Sequence, residues 1–309
     1  MQAAHQSSNE LSRFLECLRV GVALDLGDVF VVPLFAPSAA LRVALLEEAL
    51  ARREARVTEV TEHGRVDTLR VDNLGEVPLL LLDGEQIVGA KQDRVFNATM
   101  LVPPRSSIAA PVSCVERGRW HADSREMTSA EATLTPSIRA SKLKSVATTL
   151  RTTQTYGGDQ GRVWRDVENY AERTGTRSET MSFVQCLRAR GPDVAARARA
   201  LEAAPGQVGI AVVRGNVVAS LDAFGSEELY ARNQRKIARG VLAEIGERAQ
   251  ATVEPQTTVQ RAIAALAHGH MLRCAALGCG ETLTVEAAQY ALAAITYGGE
   301  VFHLLATGA

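Results

Sequence analysis

The chain lacks the features that mark membrane and nucleic-acid-binding proteins. No apolar run approaches the roughly 20 residues that cross a bilayer. The opening residues have neither the basic nor the continuous apolar region of a secretory signal. The 34 Lys and Arg residues nearly balance the 35 Asp and Glu residues, and the formal net charge is −1. Such a balance gives no global basic field, so we expect neither a nucleic-acid nor a membrane partner.

Cysteine is scarce, and the number of cysteines is odd. Five widely spaced cysteines are an odd number for a disulfide framework and are typical of free thiols in a reducing cytoplasm, which predicts a cytoplasmic protein. Hydrophobic residues make up 46% of the chain and charged residues 22%, the balance of a globular protein. The 309 residues suffice for one large domain or two ordinary ones. The cysteines are Cys17, Cys114, Cys186, Cys274 and Cys279.

The secondary structure expected from the sequence changes three times along the chain. A polar, flexible start over 1–19 precedes a β-rich part over 20–121. A helical segment follows over 122–205, and strands and helices mix again over 206–309. Strands and helices do not alternate strictly, so the order predicts an α+β fold with a mainly antiparallel or mixed sheet. We expect one integrated domain from about 20 to 309.

Turn and cap signals give local predictions. Asp83-Gly84 lies between two apolar runs and predicts a tight hairpin, because both turn positions tolerate a positive φ. Ser38 predicts the start of a helix that continues to about Arg53. Residues 94–102 read as one strand. Arg214-Gly215-Asn216 predicts a second hairpin.

Residues 83–120 carry the densest group of polar side chains beside apolar strands. Arginine can hold a phosphate with two hydrogen bonds, lysine adds a point charge, and tryptophan can stack on a base. The pattern predicts a pocket for an anion. The alternative is that these basic residues pair internally with Asp83, Glu85, Asp93 and Glu116. The predicted ligand-binding residues are Asp83, Glu85, Lys91, Gln92, Arg94, Asn97, Arg117, Arg119 and Trp120.

Cys114 and Glu116 are the candidate catalytic residues. Strand alternation places them on one face, where Cys114 would act as a thiolate nucleophile and Glu116 would handle the proton. Arg117 or Arg119 could stabilise the thiolate. The alternative is that Cys114 is a small buried hydrophobic residue, since free cysteine is among the most buried residue types.

Two further stretches contain side chains of functional types. His268, His270, Cys274 and Cys279 are zinc-type ligands, but the usual paired spacings are missing, so we expect no metal site. The glycine-rich run over 156–161 precedes a helix. It is either an anion-binding turn or a plain connection, and it is not a Walker A motif.

Several motifs resemble those of one prokaryotic family. They are LLLLDGEQIVGAKQDRVFNATMLVP at 79–103, PVSCVERGRW at 111–120, Gln160-Gly161 with Trp164, and AVVRGNVVASLDAF at 211–224. The chain resembles the ARG and rhodanese-phosphatase-superfamily-associated protein domain family from about Val20 to its C-terminus. The family name refers to association with ADP-ribosylglycohydrolase and rhodanese/phosphatase-type genes. The resemblance implies a bacterial protein linked to ADP-ribose or nucleotide-related processes, and it implies no particular cofactor.

One position departs from the family pattern. The resemblance implies asparagine where this chain has Asp93, so a side chain that can donate would have become an acidic acceptor. Two functional hypotheses follow from the residues and the resemblance together. The chain is an enzyme or binding protein for a phosphate-bearing small molecule of the ADP-ribose or nucleotide type, or it is a non-catalytic interaction or scaffold protein.

Overall fold

The computed structural model describes residues 10–61, 64–121, 124, 126–198, 201–244 and 250–308. These residues form an α+β fold rich in strands, as the sequence predicted. The helices are α1 (Glu10–Cys17), α2 (Leu46–Ala51), α3 (Pro136–Thr153), α4 (Gln160–Thr174), α5 (Phe183–Ala189), α6 (Gly191–Ala198), α7 (Glu227–Ala243) and α8 (Pro255–Ala267). None of the helices in these ranges is long and apolar enough to cross a membrane.

The strands form three sheets. They are β1 (Arg19–Val20), β2 (Leu24–Asp25), β3 (Phe30–Phe35), β4 (Ala44–Leu45), β5 (Ala55–Glu59), β6 (Thr68–Asn73), β7 (Leu79–Leu81), β8 (Glu85–Gly89), β9 (Arg94–Phe96), β10 (Met100–Val102), β11 (Ser106–Cys114), β12 (Met127–Thr133), β13 (Gln207–Arg214), β14 (Val217–Phe224), β15 (His270–Ala275), β16 (Glu281–Ala287), β17 (Tyr290–Tyr297) and β18 (Glu300–Gly308).

The largest sheet joins the two ends of the described chain. Its strand order is β1-β3-β13-β14-β18-β17-β16-β15, with β2 also paired to β3. A second sheet has the order β12-β8-β9-β11-β6-β5, and a short third sheet has the order β10-β7-β4. Every pair is antiparallel except β4 with β7. The predicted hairpin at residues 214–216 is confirmed as β13 and β14.

Central strands of the largest sheet, such as β13, are buried on both faces. In β13, Ala211 and Val213 pack with α1 and α8, whereas Ile210 and Val212 pack with α7. Consecutive side chains of a strand point to opposite faces, so an unbroken apolar strand needs a cover on each side. The helices supply those two covers.

The turn at Asp83-Gly84 is confirmed, but the predicted hairpin is wrong. The Glu85 N–H donates to the Leu82 carbonyl at 3.1 Å, and Gly84 has a φ of 72°. However, β7 pairs with β10 and β4, whereas β8 pairs with β9 and β12. Gly84 hydrogen-bonds to Phe96 and Leu134 instead. The turn therefore carries the chain from the short sheet to the six-stranded sheet.

Three other local predictions differ from the structure. The helix expected from Ser38 covers only Leu46–Ala51, and the Ser38 hydroxyl instead accepts a hydrogen bond from the Glu227 N–H at 3.0 Å. The strand expected over 94–102 divides into β9 and β10. Part of the start expected to be flexible, over 1–19, is the helix α1, whose Leu11 is buried. Residues 1–9 lie outside the described residues.

Candidate functional site

The predicted site residues fall into separate groups of buried charges, and the first group surrounds Asp83. Lys142 Nζ donates to Asp83 Oδ2 at 2.6 Å and to the Asn97 carbonyl at 3.0 Å. Both guanidinium Nη atoms of Arg139 donate to Asp222, each at 2.8 Å. Arg139 and Lys142 are three residues apart on α3, so they share one face of the helix. The group is buried, and its opposite charges are in direct contact.

His303 completes this first group. Its Nδ1 lies 2.9 Å from Thr99 Oγ1, and its Nε2 lies 3.2 Å from Asp222 Oδ1. The Thr99 oxygen already accepts from the Asp83 N–H, so its own proton is available to Nδ1. We therefore assign the imidazole proton to Nε2, facing the carboxylate. Burial lowers the pKa of His303 against the opposing effect of Asp222, so the folded protein holds a neutral ring.

The neutral ring predicts a loss of stability in mild acid. The unfolded histidine takes up a proton near pH 6.5, whereas the folded one resists, so its contribution is complete above that pH and falls below it. Between pH 7 and pH 5, this residue should lower the free energy of unfolding by up to about 1.4 kcal/mol per pH unit. Urea unfolding of wild type and His303→Gln at both pH values measures this loss. Equal pH dependence in the two proteins would contradict the assignment.

The second group joins α7 to the six-stranded sheet. Lys236 Nζ lies 2.6 Å from Glu85 Oε1 and 2.6 Å from Glu47 Oε2. Burial opposes the charge, but the two carboxylates raise the pKa of Lys236, so the ammonium is retained. The second oxygen of Glu85 accepts from the Leu82 N–H at 3.1 Å. Glu85, predicted to contact a ligand, is thus fully engaged with protein groups.

The third group contains Glu116, Arg119 and Asp93. Arg119 Nε and Nη2 donate to the two oxygens of Glu116 at 3.0 and 2.7 Å. Asp93 accepts from Arg119 at 3.3 Å and from the Ser182 hydroxyl at 2.9 Å. Both neighbours donate to Asp93, so a carboxylate suits this position. Burial and the nearby Glu116 raise the pKa of Asp93.

Cys114 lies at the buried end of β11. Burial raises the pKa of its thiol to about 11, although Arg94 acts in the opposite direction. The thiol donates weakly to the Val66 carbonyl at 3.5 Å, and the Gln160 amide holds the Cys114 backbone at 2.7 and 2.8 Å. A thiol with this pKa is protonated at neutral pH and is a weak nucleophile. Catalysis by Cys114 and Glu116 stays a prediction, and this geometry does not supply a thiolate.

Two more predicted residues have protein partners. Asn97 donates to the Tyr156 carbonyl at 3.0 Å and accepts from the Ser113 hydroxyl at 2.8 Å. The guanidinium of Arg117 lies 5.4 Å from the ring of Trp164, at the surface. The residues over 156–161 comprise the end of the connection from α3 and the first two residues of α4, and Asp159 caps α4 by accepting from the Arg162 N–H at 2.9 Å. The hydrogen bond from Arg162 to Asp159 is an ordinary helix N-cap.

Arg94 is the exception among these buried charges. Its side chain is 0% exposed, yet Nε and Nη2 have no hydrogen-bond partner among the described residues. Its remaining polar contacts are long: Nη1 to Gln92 at 3.3 Å and Nη2 to Glu59 at 3.9 Å. The Trp120 ring lies 5.5 Å from the guanidinium and 5.6 Å from Lys91 Nζ. Trp120 is 45% exposed, so this group reaches the surface.

Glu59 adds an acceptor to the same place. Its Oε2 is buried and also has no hydrogen-bond partner within the ranges that the structure describes. Gly64 lies against it, because a Cβ there would come within 3.1 Å of Oε2 and 3.0 Å of Lys91 Cδ. We call this group the Arg94–Trp120 site, and it consists of Glu59, Lys91, Gln92, Arg94 and Trp120.

The sequence had pointed to four of these five residues and had missed Glu59. Its alternative of internal pairing included Arg119 with Glu116 and Asp93, but it missed the partners of Asp83 and Glu85, because those partners lie far away along the chain. Within the described residues, no three His, Cys, Asp or Glu side chains group closely enough to hold a metal ion. The stretch from His268 to Cys279 instead supplies β15 and the turn that follows it.

Comparison with known proteins identifies one family. The chain matches the family model described as ARG and Rhodanese-Phosphatase-superfamily-associated Protein domain over residues 17–307. No curated protein and no solved structure matches the chain. The matched range contains the whole Arg94–Trp120 site and every group of buried charges described above. The chain therefore belongs to the ARG and Rhodanese-Phosphatase-superfamily-associated Protein domain family.

Proposed function

We propose that this protein binds a phosphate-bearing small molecule of the ADP-ribose or nucleotide type at the Arg94–Trp120 site. The observation that carries the proposal is the buried guanidinium of Arg94 with two unsatisfied donor atoms. A buried donor without a partner costs about 1–3 kcal/mol, and more when the group is charged. A bound anion would recover that cost, which gives a physical reason to keep an arginine here.

The shape of the guanidinium specifies the ligand chemistry. Nε and Nη2 project from the same edge of the planar group, so their N–H bonds are parallel and suit two oxygens of one phosphate. Lys91 lies on the same tryptophan ring and would add a second positive charge. Together they complement a phosphate or pyrophosphate group.

Glu59 favours a ligand that also carries a sugar. Its unsatisfied Oε2 can only accept, so it requires a donor such as a ribose hydroxyl. Its negative charge disfavours a bare phosphate placed beside it. Carboxylates that bind ribose hydroxyls are a recurring feature of nucleotide sites. The combination of Arg94 and Glu59 is therefore better suited to a ribose phosphate than to an inorganic anion.

Trp120 supplies a stacking surface and a cover. Its ring lies over Arg94 and the residue is 45% exposed, so the exposed part could contact an adenine or another planar group. A phosphate can reach the buried guanidinium only if this ring rotates away. Because the ring is partly exposed, its rotation costs little free energy. The family name, with its reference to association with ARG, agrees with an ADP-ribose-related ligand.

The alternative function is a non-catalytic scaffold or interaction protein. The observation that favours it is the internal pairing of Asp83, Glu85, Glu116 and Arg119, which supports a structural role for much of the polar cluster. On that hypothesis Arg94 is a packing residue. The two functions differ in what happens when Arg94 is replaced.

Replacing Arg94 by methionine should abolish binding without destabilising the protein. Methionine fills similar space and removes a buried charge with poor partners, an exchange that is often neutral or stabilising. ADP-ribose at a hundred times its dissociation constant should stabilise wild type by about 2.7 kcal/mol, and the Arg94→Met variant not at all. Thermal unfolding with and without ADP-ribose measures both effects.

Arg117→Met is the matched control for this experiment. Arg117 also stacks on a tryptophan, but its guanidinium lies outside the Arg94–Trp120 site. The variant should keep the full ligand-induced shift. The scaffold hypothesis is favoured if ADP-ribose, ADP and ribose 5-phosphate all leave the thermal unfolding midpoint of the wild-type protein unchanged. It also leads if Arg94→Met responds to ligand as wild type does.

Replacing Trp120 by alanine should separate base recognition from phosphate recognition. Stacking on an aromatic side chain is worth about 1–3 kcal/mol per base. The variant should therefore bind ADP-ribose about tenfold to a hundredfold more weakly while its affinity for ribose 5-phosphate holds or rises. Isothermal titration calorimetry with the two ligands gives the comparison. An equal loss for both ligands would place Trp120 in the fold of the site and not in contact with a base.

A further inference from the structure

A cleft between α5, α6, α7 and β12 lies apart from the Arg94–Trp120 site. Its volume is about 560 Å³, within the range of small-molecule sites. Ala132, Leu187, Val194 and Ala238 form its buried apolar floor. None of the five residues of the Arg94–Trp120 site lines it.

The cleft is open because the side chains that line it are small. Alanine or glycine occupies five of its lining positions, on β12, α6 and α7, where larger residues would fill the space. Protein interiors otherwise pack closely, and an unfilled apolar volume costs free energy. The five positions are Ala130, Ala132, Gly191, Ala198 and Ala238.

A second depression adjoins the cleft. A smaller depression of about 140 Å³ shares Glu202, Gln234 and Ala238 with it and continues toward β3. Val22, which is 82% exposed, lies on the wall of that depression. The two depressions therefore adjoin each other along α7.

Positive charge is concentrated on the lining. The lining contains one acidic residue, Glu202, and three arginines, Arg188, Arg235 and Arg239. Arg239 pairs with Glu131 at 3.1 Å, whereas Arg188 and Arg235 have no ion-pair partner among the residues that the structure describes. Arg188 and Arg235 are both exposed, so they can meet the charged end of a molecule whose apolar part lies inside.

We propose that this cleft binds a single-chain amphipathic anion, with an aliphatic body on the apolar floor and a carboxylate or phosphate head at Arg188 and Arg235. A nucleobase fits less well, because the buried floor residues have hydrocarbon side chains and its ring nitrogens would lose hydrogen bonds. The site is independent of the proposed nucleotide function, since the two share no residue.

Two probes with alkyl tails of nearly equal length and heads of opposite charge test the proposal on the full chain. Decanoate should raise the thermal midpoint and bind in calorimetry, and decyltrimethylammonium should do neither. The double variant Arg188→Gln, Arg235→Gln should weaken decanoate binding about tenfold, which corresponds to 1.4 kcal/mol. Both positions are exposed, so this variant is expected to fold. Ala238→Leu, which fills the floor, should remove binding altogether.

Three results would contradict an amphipathic anion in this cleft. Equal binding of both probes would indicate non-specific adsorption to apolar surface and would overturn the proposal. Unchanged decanoate affinity in the double arginine variant would overturn the assignment of the head group. Binding to vesicles of anionic phospholipid, with no response to monomeric decanoate, would show that the arginines recognise a membrane surface and not a free amphiphile. ADP-ribose affinity, measured on the same variants, should not change.

Discussion

Replacing Asp222 by alanine should lower the free energy of unfolding by about 3–5 kcal/mol, because the variant removes the carboxylate that accepts two hydrogen bonds from a buried arginine and leaves only the more distant Asp83, 3.8 Å from Arg139 Nε. Arg139 is fully buried and makes two hydrogen bonds of 2.8 Å to this carboxylate. Its guanidinium cannot shed its proton, so the charge remains. His303 would lose the same partner. Urea unfolding at pH 7 measures the loss.

Two controls define the source of that loss. Glu54→Ala removes one partner of an exposed ion pair with Arg52 and should cost less than about 1 kcal/mol. The double variant Asp222→Leu, Arg139→Met removes both buried charges and should recover much of the lost stability. If Asp222→Ala and Glu54→Ala destabilise equally, the buried pair does not hold the fold together as described.

Replacing Lys236 by methionine should cost a similar amount, about 3–5 kcal/mol at pH 7, with a distinctive pH dependence. The variant leaves Glu85 buried without the ammonium that lies 2.6 Å from it. Burial already raises the pKa of Glu85 in the folded protein. The unpaired carboxyl would therefore take up a proton more readily, and a protonated carboxyl costs less to bury.

The sign of this dependence follows from linkage. The pKa of the Glu85 carboxyl is higher in the folded protein than in the unfolded protein. Its contribution to the free energy of unfolding is therefore greatest at low pH and is lost as the pH rises through the folded-state pKa. The difference between wild type and Lys236→Met should thus be smaller at pH 5 than at pH 7. A deficit that stays constant or grows in acid would show that Glu85 is not left as an uncompensated charge.

The sequence predicted the fold class and several elements because those depend on local patterns. Alternation and a turn at Arg214-Gly215-Asn216 were enough for the β13–β14 hairpin. Ser226 caps α7 by accepting from the Leu229 N–H at 3.3 Å, which is a local signal of the same kind. Asp83-Gly84 determines a turn but not which strands pair, because the partners of β7 and β8 come from elsewhere in the chain.

The candidate site was harder to predict for the same reason. Lys142 is 59 residues from Asp83, Asp222 is 83 residues from Arg139, and Lys236 is 151 residues from Glu85. From the sequence, Arg94 and Arg119 were both predicted to bind the ligand, and nothing distinguished one from the other. The fold distinguishes them, because Arg119 binds Glu116 with two hydrogen bonds while Arg94 keeps unsatisfied donors.

The Nε–H resonance of Arg94 gives the most direct test of the proposed ligand site. In a ¹H–¹⁵N correlation spectrum it can be identified by its loss in Arg94→Met. Titration of wild type with ADP-ribose should shift this resonance in a saturable way, because a phosphate oxygen becomes the acceptor that Nε lacks. If ADP-ribose reaches saturation while the Arg94 resonance stays in place, or if no arginine resonance moves at all, the Arg94–Trp120 site does not bind this class of ligand.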